Sequence, residues 1–373
     1  MIVTRLRLRD FRSYAAAELE LGEGLTVLHG RNGAGKTNLL EALYFGCTGR
    51  SCRTSNEREL VRFGASAARV EVDARDADGP HSLSVGFQPG EAKRLKADGA
   101  PVERLVDVTT RPLVSVFLPD RLELVKGAPA LRRAHMDQLV AALWPARAGT
   151  RRAYTAALAQ RNALLGRIRA GRASRDSLPA WDAELARHGI ALRDDRAAAI
   201  DLVREGFATL AAELGLAGEP ELRFRPRSRA ATPEELAGEL AERTDGDLDR
   251  GFTGHGPHRD DLVLARDGRD LRAYGSQGEQ RIALLALLLA EREALAQARG
   301  SAPLLLLDDV MSELDPERRE RLAGRIARHG QSVVTTTDLA HVPGAGEAGV
   351  ARVAVADGEL RPDERAPEAR AAA

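Results

Sequence analysis

The segment Gly30-Arg31-Asn32-Gly33-Ala34-Gly35-Lys36-Thr37 constrains the fold of this 373-residue chain more than any other feature. It fits the pattern Gly-x4-Gly-Lys-[Ser/Thr], in which successive backbone N–H groups curl around a phosphate and glycine permits the turn. The apolar run Leu25–His29 precedes this loop, and apolar spacing predicts that a helix carrying Leu39, Leu40 and Leu43 follows it. The order strand, glycine-rich loop, helix therefore predicts an α/β phosphate-binding fold.

The loop pattern also assigns roles to individual side chains. Lys36 is expected to contact the β- and γ-phosphates of ATP and to assist catalysis, and the Thr37 hydroxyl is expected to ligate Mg²⁺. ATP and Mg²⁺ are thus the predicted cofactors. The residues expected to line the nucleotide are Gly30, Arg31, Asn32, Gly33, Ala34, Gly35, Lys36 and Thr37.

Two acids follow a second apolar strand. Leu304 to Leu307 are four consecutive leucines, and Asp308 and Asp309 come directly after them. We expect Asp308 to hold Mg²⁺ through its shell and Asp309 to act as the general base that orients the attacking water. The plainer alternative is a buried strand that is merely capped by acids.

The chain changes character in its middle. Strand-like patterns fill residues 1–120 and return after Gly254-His255-Gly256-Pro257, whereas residues 121–250 are rich in Ala, Leu, Arg and Glu at helical spacing, without strand signals. We therefore expect an α/β core of residues 1–120 and 251–360 with a mostly α-helical lobe of residues 121–250 inserted between them. Residues 361–373, rich in Ala, Pro and charge, are expected to be a disordered tail.

The order of the motifs resembles that of ABC-type ATPases: phosphate loop, long insertion, Ser276-Gln277-Gly278-Glu279-Gln280, apolar strand with two acids, Ser312-Glu313-Leu314-Asp315. The fold class is accordingly expected to be an ABC-type P-loop ATPase head. In that class the signature segment meets the γ-phosphate held by a partner subunit. The resemblance implies that Ser276, Gln277 and Gly278 bind ATP across a head-to-head homodimer, although a Ser-Gly pair at a helix start is usually only a cap.

Further blocks make the chain similar to the RecF family of bacterial recombination-repair ATPases, over nearly its whole length. The blocks are Leu8-Arg9-Asp10-Phe11-Arg12-Ser13-Tyr14, Gly49-Arg50-Ser51-Cys52-Arg53-Thr54, Leu124-Val125-Lys126-Gly127-Ala128-Pro129 with Arg132-Arg133, and Gly256-Pro257-His258-Arg259-Asp260-Asp261. The last block is the most specific. The resemblance implies ATP-dependent DNA binding in gap repair, replication restart and the SOS response, helping to load RecA with RecR and RecO as partners.

Two positions bear on catalysis. Family members usually carry two acids after the proline that corresponds to Pro119, but here Arg121 follows Asp120. In addition, the segment Val334-Thr335-Thr336-Thr337-Asp338 has Thr where transporter ATPases place a switch histidine. Without that imidazole, and with Asp rather than Glu at 309, we expect slow hydrolysis, at most a weak DNA-stimulated ATPase.

A basic block is hidden in a chain of zero net charge, with 55 Lys+Arg against 55 Asp+Glu. Between Arg132 and Arg175 there are ten arginines and one acid, Asp137. Such side chains could neutralise the phosphates of single-stranded DNA or of a gapped duplex, without reading the base sequence. The residues expected to contact DNA are Arg132, Arg133, Arg151, Arg152 and Arg161. A solvated helix face is the alternative.

No apolar run approaches the length of about 18 residues that spans a membrane, and the N-terminal residues lack the pattern of a secretion signal. A cytoplasmic protein without a membrane partner is expected. Two other functions stay open from the residues: a transporter's detached ATPase subunit, and a non-hydrolysing, nucleotide-gated DNA clamp.

Overall fold

A computed structural model describes residues 1–118, 122–328 and 330–363 of the chain. It divides into two compact units. The first unit contains residues 1–121 and 295–373, and the second contains residues 122–294. Asp120 and the Arg121 that follows it, both singled out in the sequence, lie outside the described residues.

Among the described residues, the first unit has twelve strands in two sheets of six, and the second unit has three strands. In chain order they are β1 (Ile2–Phe11), β2 (Tyr14–Glu20), β3 (Leu25–His29), β4 (Ala68–Arg75), β5 (Pro80–Phe87), β6 (Arg94–Ala97), β7 (Ala100–Pro101), β8 (Val114–Phe117), β9 (Pro220–Arg225), β10 (Asp261–Arg266), β11 (Arg269–Asp270), β12 (Leu304–Leu307), β13 (Ser332–Thr336), β14 (Ala351–Ala356) and β15 (Glu359–Pro362).

The described ranges also contain ten α-helices, besides short 3-10 turns. They are α1 (Lys36–Thr48), α2 (Glu123–Lys126), α3 (Pro129–Leu143), α4 (Ala148–Arg169), α5 (Leu178–Glu213), α6 (Pro233–Glu242), α7 (Thr244–Arg250), α8 (Leu271–Tyr274), α9 (Gln277–Arg299) and α10 (Pro316–Arg328). Among these described helices, none combines the length and the apolar character needed to cross a bilayer.

The sheet that positions the phosphate loop combines strands from both ends of the chain. Its order is β15-β14-β3-β13-β12-β8, and β3, β13 and β12 run parallel as neighbours. These strands are short and their central residues are buried on both faces, as expected for parallel strands. Since parallel strands end at the same edge, the loops that follow β3 and β12 emerge at one edge of the sheet, on either side of β13.

The second sheet of this unit is antiparallel, with the order β2-β1-β4-β5-β6-β7. Alternation of apolar and polar residues gives it one buried and one exposed face. Val70 and Val72 of β4 belong to the core that α1 also joins through Leu39 and Leu43. At Gly46 of α1, an added Cβ would lie 2.4 Å from a methyl group of Val72, so glycine allows the helix to pack closely on β4.

One buried side chain joins the two sheets. The Val3 N–H donates to Gln331 Oε1 over 2.9 Å, and Gln331 Nε2 donates to the carbonyls of Val3 at 2.6 Å and Gly22 at 2.8 Å. The register of β1 against β4 shifts just after Val3, which frees these backbone groups for Gln331. The amide thus satisfies polar groups that would otherwise be buried without partners.

The second unit is mostly helical, as predicted, but residues 121–250 also contain one strand that the sequence analysis did not identify. Strand β9 (Pro220–Arg225) pairs along its whole length with β10 (Asp261–Arg266). Its alternation of Leu222 and Phe224 with charged residues is a strand signal that the many surrounding helical residues obscure. This pairing also explains why residues 251–294 belong to the second unit, whereas the sequence placed them with the core.

The C-terminal boundary also differs from the expectation. Arg361 and Pro362 form the end of β15, and Asp363 lies 2.9 Å from His29 Nε2. The predicted tail therefore cannot begin at residue 361. Residues 364–373 lie outside the described residues.

We predict that Gln331→Leu lowers the free energy of unfolding by roughly 2–4 kcal/mol, because it leaves buried backbone groups of Val3 and Gly22 without partners. Urea denaturation followed by circular dichroism measures the effect. Gln88→Leu, the same substitution at an exposed position, is the control and should change stability by less than about 0.5 kcal/mol. Equal effects of the two substitutions would contradict the prediction.

Candidate nucleotide-binding site

The predicted phosphate loop lies between β3, which ends at His29, and α1, which begins at Lys36. Gly30, Gly33 and Gly35 have φ angles of 153°, 82° and 105°, a region that favours glycine. A Cβ on Gly30 would lie 2.2 Å from the Val355 carbonyl oxygen, and one on Gly35 would lie 2.6 Å from the Tyr14 hydroxyl. Gly30 and Gly35 are therefore required by both conformation and space, and Gly33 by conformation alone.

Lys36 curls back over the loop. Its Nζ donates to the carbonyls of Gly30 at 2.8 Å and Arg31 at 3.0 Å. Burial lowers the pKa of Lys36, and the charges of Asp309 and Asp308 oppose that shift. The ammonium is thus fixed within the loop, next to two carboxylates.

Asp308, the first acid after β12, is hydrogen-bonded at the phosphate loop. Thr37 Oγ1 donates to Asp308, with distances of 3.0 and 2.9 Å to the two carboxylate oxygens. Thr335 Oγ1 donates to Asp308 Oδ1 over 2.7 Å. Burial raises the pKa of Asp308, although the hydrogen bonds from Thr335 and Thr37 oppose the increase.

These oxygens fit a magnesium ion. Mg²⁺ prefers oxygen ligands and is usually held by one or two protein groups together with waters and substrate phosphates. The Thr37 hydroxyl and the Asp308 carboxylate supply such a pair. No group of three or more His, Cys, Asp or Glu side chains in the described ranges could form a complete metal cage by itself.

The second acid, Asp309, is held differently. Its φ angle is 49°, a left-handed conformation that Asp tolerates better than most residues, and its N–H donates to Thr335 Oγ1 over 2.9 Å. Its Oδ1 is buried and accepts no hydrogen bond from any described residue. A buried carboxylate oxygen without a donor is chemically able to accept one from a water molecule.

The two N-terminal blocks of the family resemblance converge on α1 around one acid. Glu41 is completely buried and accepts two hydrogen bonds from Arg12, at 2.8 and 2.9 Å. Ser51 donates to it over 2.5 Å and Arg53 over 3.2 Å. The sequence prediction missed Glu41, although an acid between the apolar Leu40 and Leu43 of a helix could have indicated a buried ion pair.

The signature segment forms the start of α9 in the second unit. Ser276 Oγ accepts from the Glu279 N–H over 3.3 Å, while Glu279 Oε2 accepts from the Ser276 N–H over 2.8 Å. This reciprocal pair is a capping box, so the plainer role of Ser276 as a cap is realised. The side chains of Ser276 and Gln277 and the backbone of Gly278 are exposed.

The structure corrects the DNA prediction for two arginines. Arg161 is completely buried and donates to Asp182 at 2.6 Å and to Asp247 at 2.7 Å. Arg132 is also buried and donates to both carboxylate oxygens of Asp261. Their guanidinium groups are inside the second unit, so they are not available to DNA phosphates in this structure.

The most specific family block, Gly256-Pro257-His258-Arg259-Asp260-Asp261, also forms hydrogen bonds inside the second unit. Arg133 donates to the Asp260 carbonyl over 2.9 Å, and Arg196 donates to Asp260 Oδ2 over 3.1 Å. Tyr154 bonds His258 Nδ1 at 2.7 Å, and burial lowers the pKa of His258 to about 4. This block therefore ties helices of the second unit together. Of the predicted DNA contacts, Arg151 and Arg152 are exposed.

Comparison with known proteins identifies the family. The sequence model described as RecF/RecN/SMC N terminal domain matches residues 2–356. A DNA replication and repair protein RecF from Anaeromyxobacter sp. (strain Fw109-5) is 43% identical over 91% of this chain and 93% of its own length. The chain belongs to the RecF family. A RecF from Frankia alni is 39% identical to this RecF-family chain, over 96% of the chain and 99% of the relative.

Solved structures agree with this assignment. The recombination mediator protein RecF with ATP, of the RecFOR pathway, aligns with this RecF-family chain at a TM-score of 0.84 and 28% identity, covering 97% of each chain. An SMC head bound to the C-winged helix domain of ScpA aligns at 0.59 with 18% identity, a likeness of fold alone. The predicted family and the predicted ABC-type ATPase fold are confirmed.

We predict that Arg161→Ala lowers the free energy of unfolding by about 3–5 kcal/mol, because it leaves the buried Asp182 and Asp247 without their counter-charge. Thermal and urea denaturation measure this loss. Arg152→Ala, on the exposed face of the same helix, should change stability by less than about 0.5 kcal/mol. A stable Arg161→Ala protein with impaired DNA binding would restore the original assignment.

Proposed function

We propose that this chain is an ATP-dependent DNA-binding protein of replication and recombinational repair, and that ATP drives its dimerisation on DNA. The observation that carries the proposal is the hydrogen-bonded set of Thr37, Asp308 and Thr335 beside the phosphate loop. Membership of the RecF family supports a role in DNA replication and repair. The solved RecF–ATP structure supports ATP as the nucleotide.

Each loop residue would have a separate task in nucleotide binding. The backbone N–H groups of residues 30–37 would bind the phosphates, and Lys36 would contact the β- and γ-phosphates. Thr37 and Asp308 would hold Mg²⁺, which when bound neutralises charge on the phosphate oxygens. Asp309 would orient a water through its unpartnered Oδ1.

The second half of the site would come from another copy of the chain. Ser276, Gln277 and Gly278 are exposed at the start of the 23-residue helix α9. A helix N-terminus favours an anion. In the proposed dimer, ATP held by Lys36 of one protomer is bound by the Ser276 segment of the other, so dimerisation depends on the γ-phosphate.

DNA would be bound without reading its sequence. Arg151 and Arg152 are exposed near the start of α4, and Arg151 lies 3.1 Å from a carboxylate oxygen of Asp137. Single-stranded DNA or a gapped duplex is the proposed substrate. RecR and RecO are the proposed protein partners. The proposed outcomes are RecA loading and SOS induction, and the proposed location is the cytoplasm. Hydrolysis would be slow and would release the dimer.

We predict that Lys36→Ala weakens binding of a fluorescent ATP analogue roughly 10- to 100-fold, since a hydrogen bond to a charged group contributes about 1.5–3 kcal/mol. Lys96→Ala, at an exposed position, is the matched control and should leave binding unchanged. Asp308→Asn should remove only the part of the affinity that Mg²⁺ adds. Unchanged binding by Lys36→Ala would refute the phosphate-loop assignment.

We predict that Ser276→Arg and Ser276→Asp both abolish ATP-driven dimerisation while leaving ATP binding intact. Arg blocks the surface by size. Asp keeps the helix cap but places a negative charge where the γ-phosphate would lie. Light scattering and DNA-binding titrations, each with ATP, with ADP and without nucleotide, give the measurement.

The control for this experiment is Ser174→Arg, a substitution at another exposed capping serine of the second unit. It should dimerise on ATP as the wild type does. Dimerisation of either Ser276 variant at the wild-type ATP concentration would overturn the shared site. DNA binding that is equal with ATP, ADP and no nucleotide would overturn ATP control.

A further inference from the structure

The exposed face of the antiparallel sheet β2-β1-β4-β5-β6-β7 is not uniform in charge. At one end, Arg9 lies directly opposite Arg69 in the β1–β4 ladder. Gly86 lies opposite Arg69, and Arg94 lies opposite Gly86. Arg9, Arg69 and Arg94, which we call the arginine row, are all exposed. Because strands are about 4.8 Å apart, the row places three positive side chains within about 15 Å.

The next two rows of the same face are balanced instead. Arg7 lies between Glu18 and Glu71, and it donates to Asp73 over 3.1 Å. Arg5 lies opposite both Glu20 and Asp73 in the register. Acidic and basic side chains thus alternate across the strands, as expected for a surface that faces only water. The arginine row departs from this pattern.

Like charges directly opposite each other destabilise a sheet. Arg69 has the half-buried Glu71 at 2.6 Å, and Arg94 has the exposed Glu91 at 3.4 Å. For Arg9, the described residues provide no ion pair within 4.0 Å. The three arginines together are therefore incompletely neutralised by the chain, and a bound polyanion would relieve their repulsion.

An exposed aromatic residue lies at the same end of the sheet. Phe63 is 98% exposed, more than any other large apolar residue of the described ranges. Its loop is held firmly to β1, because the Arg62 N–H and Nε donate to the Asp10 carbonyl and carboxylate, both over 2.8 Å. Val61 also forms a bridge with Phe11. The ring is thus presented to solvent by an ordered loop.

We propose that this end of the sheet binds single-stranded DNA, with the arginine row on the phosphates and Phe63 stacked on an unpaired base. Single strands are bound by positively charged grooves combined with aromatic rings, since every base has a face that can stack. A duplex would use the arginines but has no unpaired base for Phe63. The inference rests on the proposed DNA-binding function and assigns it a surface.

The test compares the wild type, a row variant and a charge-matched control in the presence of ATP. Binding to an oligothymidine and to a blunt duplex is measured by fluorescence anisotropy over a range of salt concentrations. The row variant carries Arg9→Gln, Arg69→Gln and Arg94→Gln. The charge-matched control carries Arg75→Gln, Arg104→Gln and Arg361→Gln. These three arginines are exposed, and each of them lies beside an acid. The row variant should lose affinity. The plot of log K against log salt has a negative slope, and its magnitude should be smaller by about 2 for the row variant than for this control.

Phe63 is tested separately by Phe63→Ala, Phe63→Leu and Phe63→Trp. The Ala and Leu variants should bind oligothymidine at least about 5-fold more weakly than the wild type, and the Trp variant should bind it as tightly as the wild type. Duplex affinity and the salt dependence of binding should stay unchanged in all three. Because Phe63 is 98% exposed, all three should melt at the wild-type temperature.

Three results would overturn the inference. A row variant that binds like the charge-matched control excludes this surface while leaving the proposed function intact. Oligoglutamate is a probe for an acidic protein. If the wild type binds it and the row variant does not, while Phe63→Ala leaves oligothymidine binding unchanged, the surface binds an acidic protein and not single-stranded DNA. A wild type that binds no DNA with ATP, ADP or without nucleotide would remove the proposed function and this surface together.

Discussion

The parallel pairing of β3, β13 and β12 is the constraint on which the site depends. It places the loop after β3 beside the acids after β12, so that Thr37 and Asp308 form a hydrogen bond across 271 residues of chain. Because the entropy of closing a loop grows only slowly with its length, a whole second unit can be accommodated between these strands. The site therefore needs the sheet but tolerates the insertion.

Within each unit, the family's characteristic blocks act as ion-pair hubs. In the first unit, Arg12 and Arg53 converge on the buried Glu41. In the second unit, Arg196 reaches the buried Asp260. Removing one partner of such a buried pair is strongly destabilising, whereas the pair itself adds little net stability. We interpret these hubs as devices that fix one arrangement of helices and loops.

This use of arginine changes how the charge of the chain is understood. The arginines between residues 132 and 175 look like one basic block in the sequence, but Arg132 and Arg161 are buried against aspartates. The arginine row, by contrast, is dispersed in the sequence and only becomes a cluster through strand register. Counting charges along the chain therefore misplaces part of the basic surface.

The sequence alone determined the phosphate loop and the acids after β12, because each is encoded in contiguous residues with a strict local geometry. It also determined the fold class, through the order of these motifs along the chain. Tertiary structure decided which charges are buried, as at Glu41 and Arg161, and the pairing of β9 with β10, which moves residues 251–294 into the second unit. These outcomes depend on which distant segments meet, and hydrophobic periodicity does not specify the partner of a strand or of a charge.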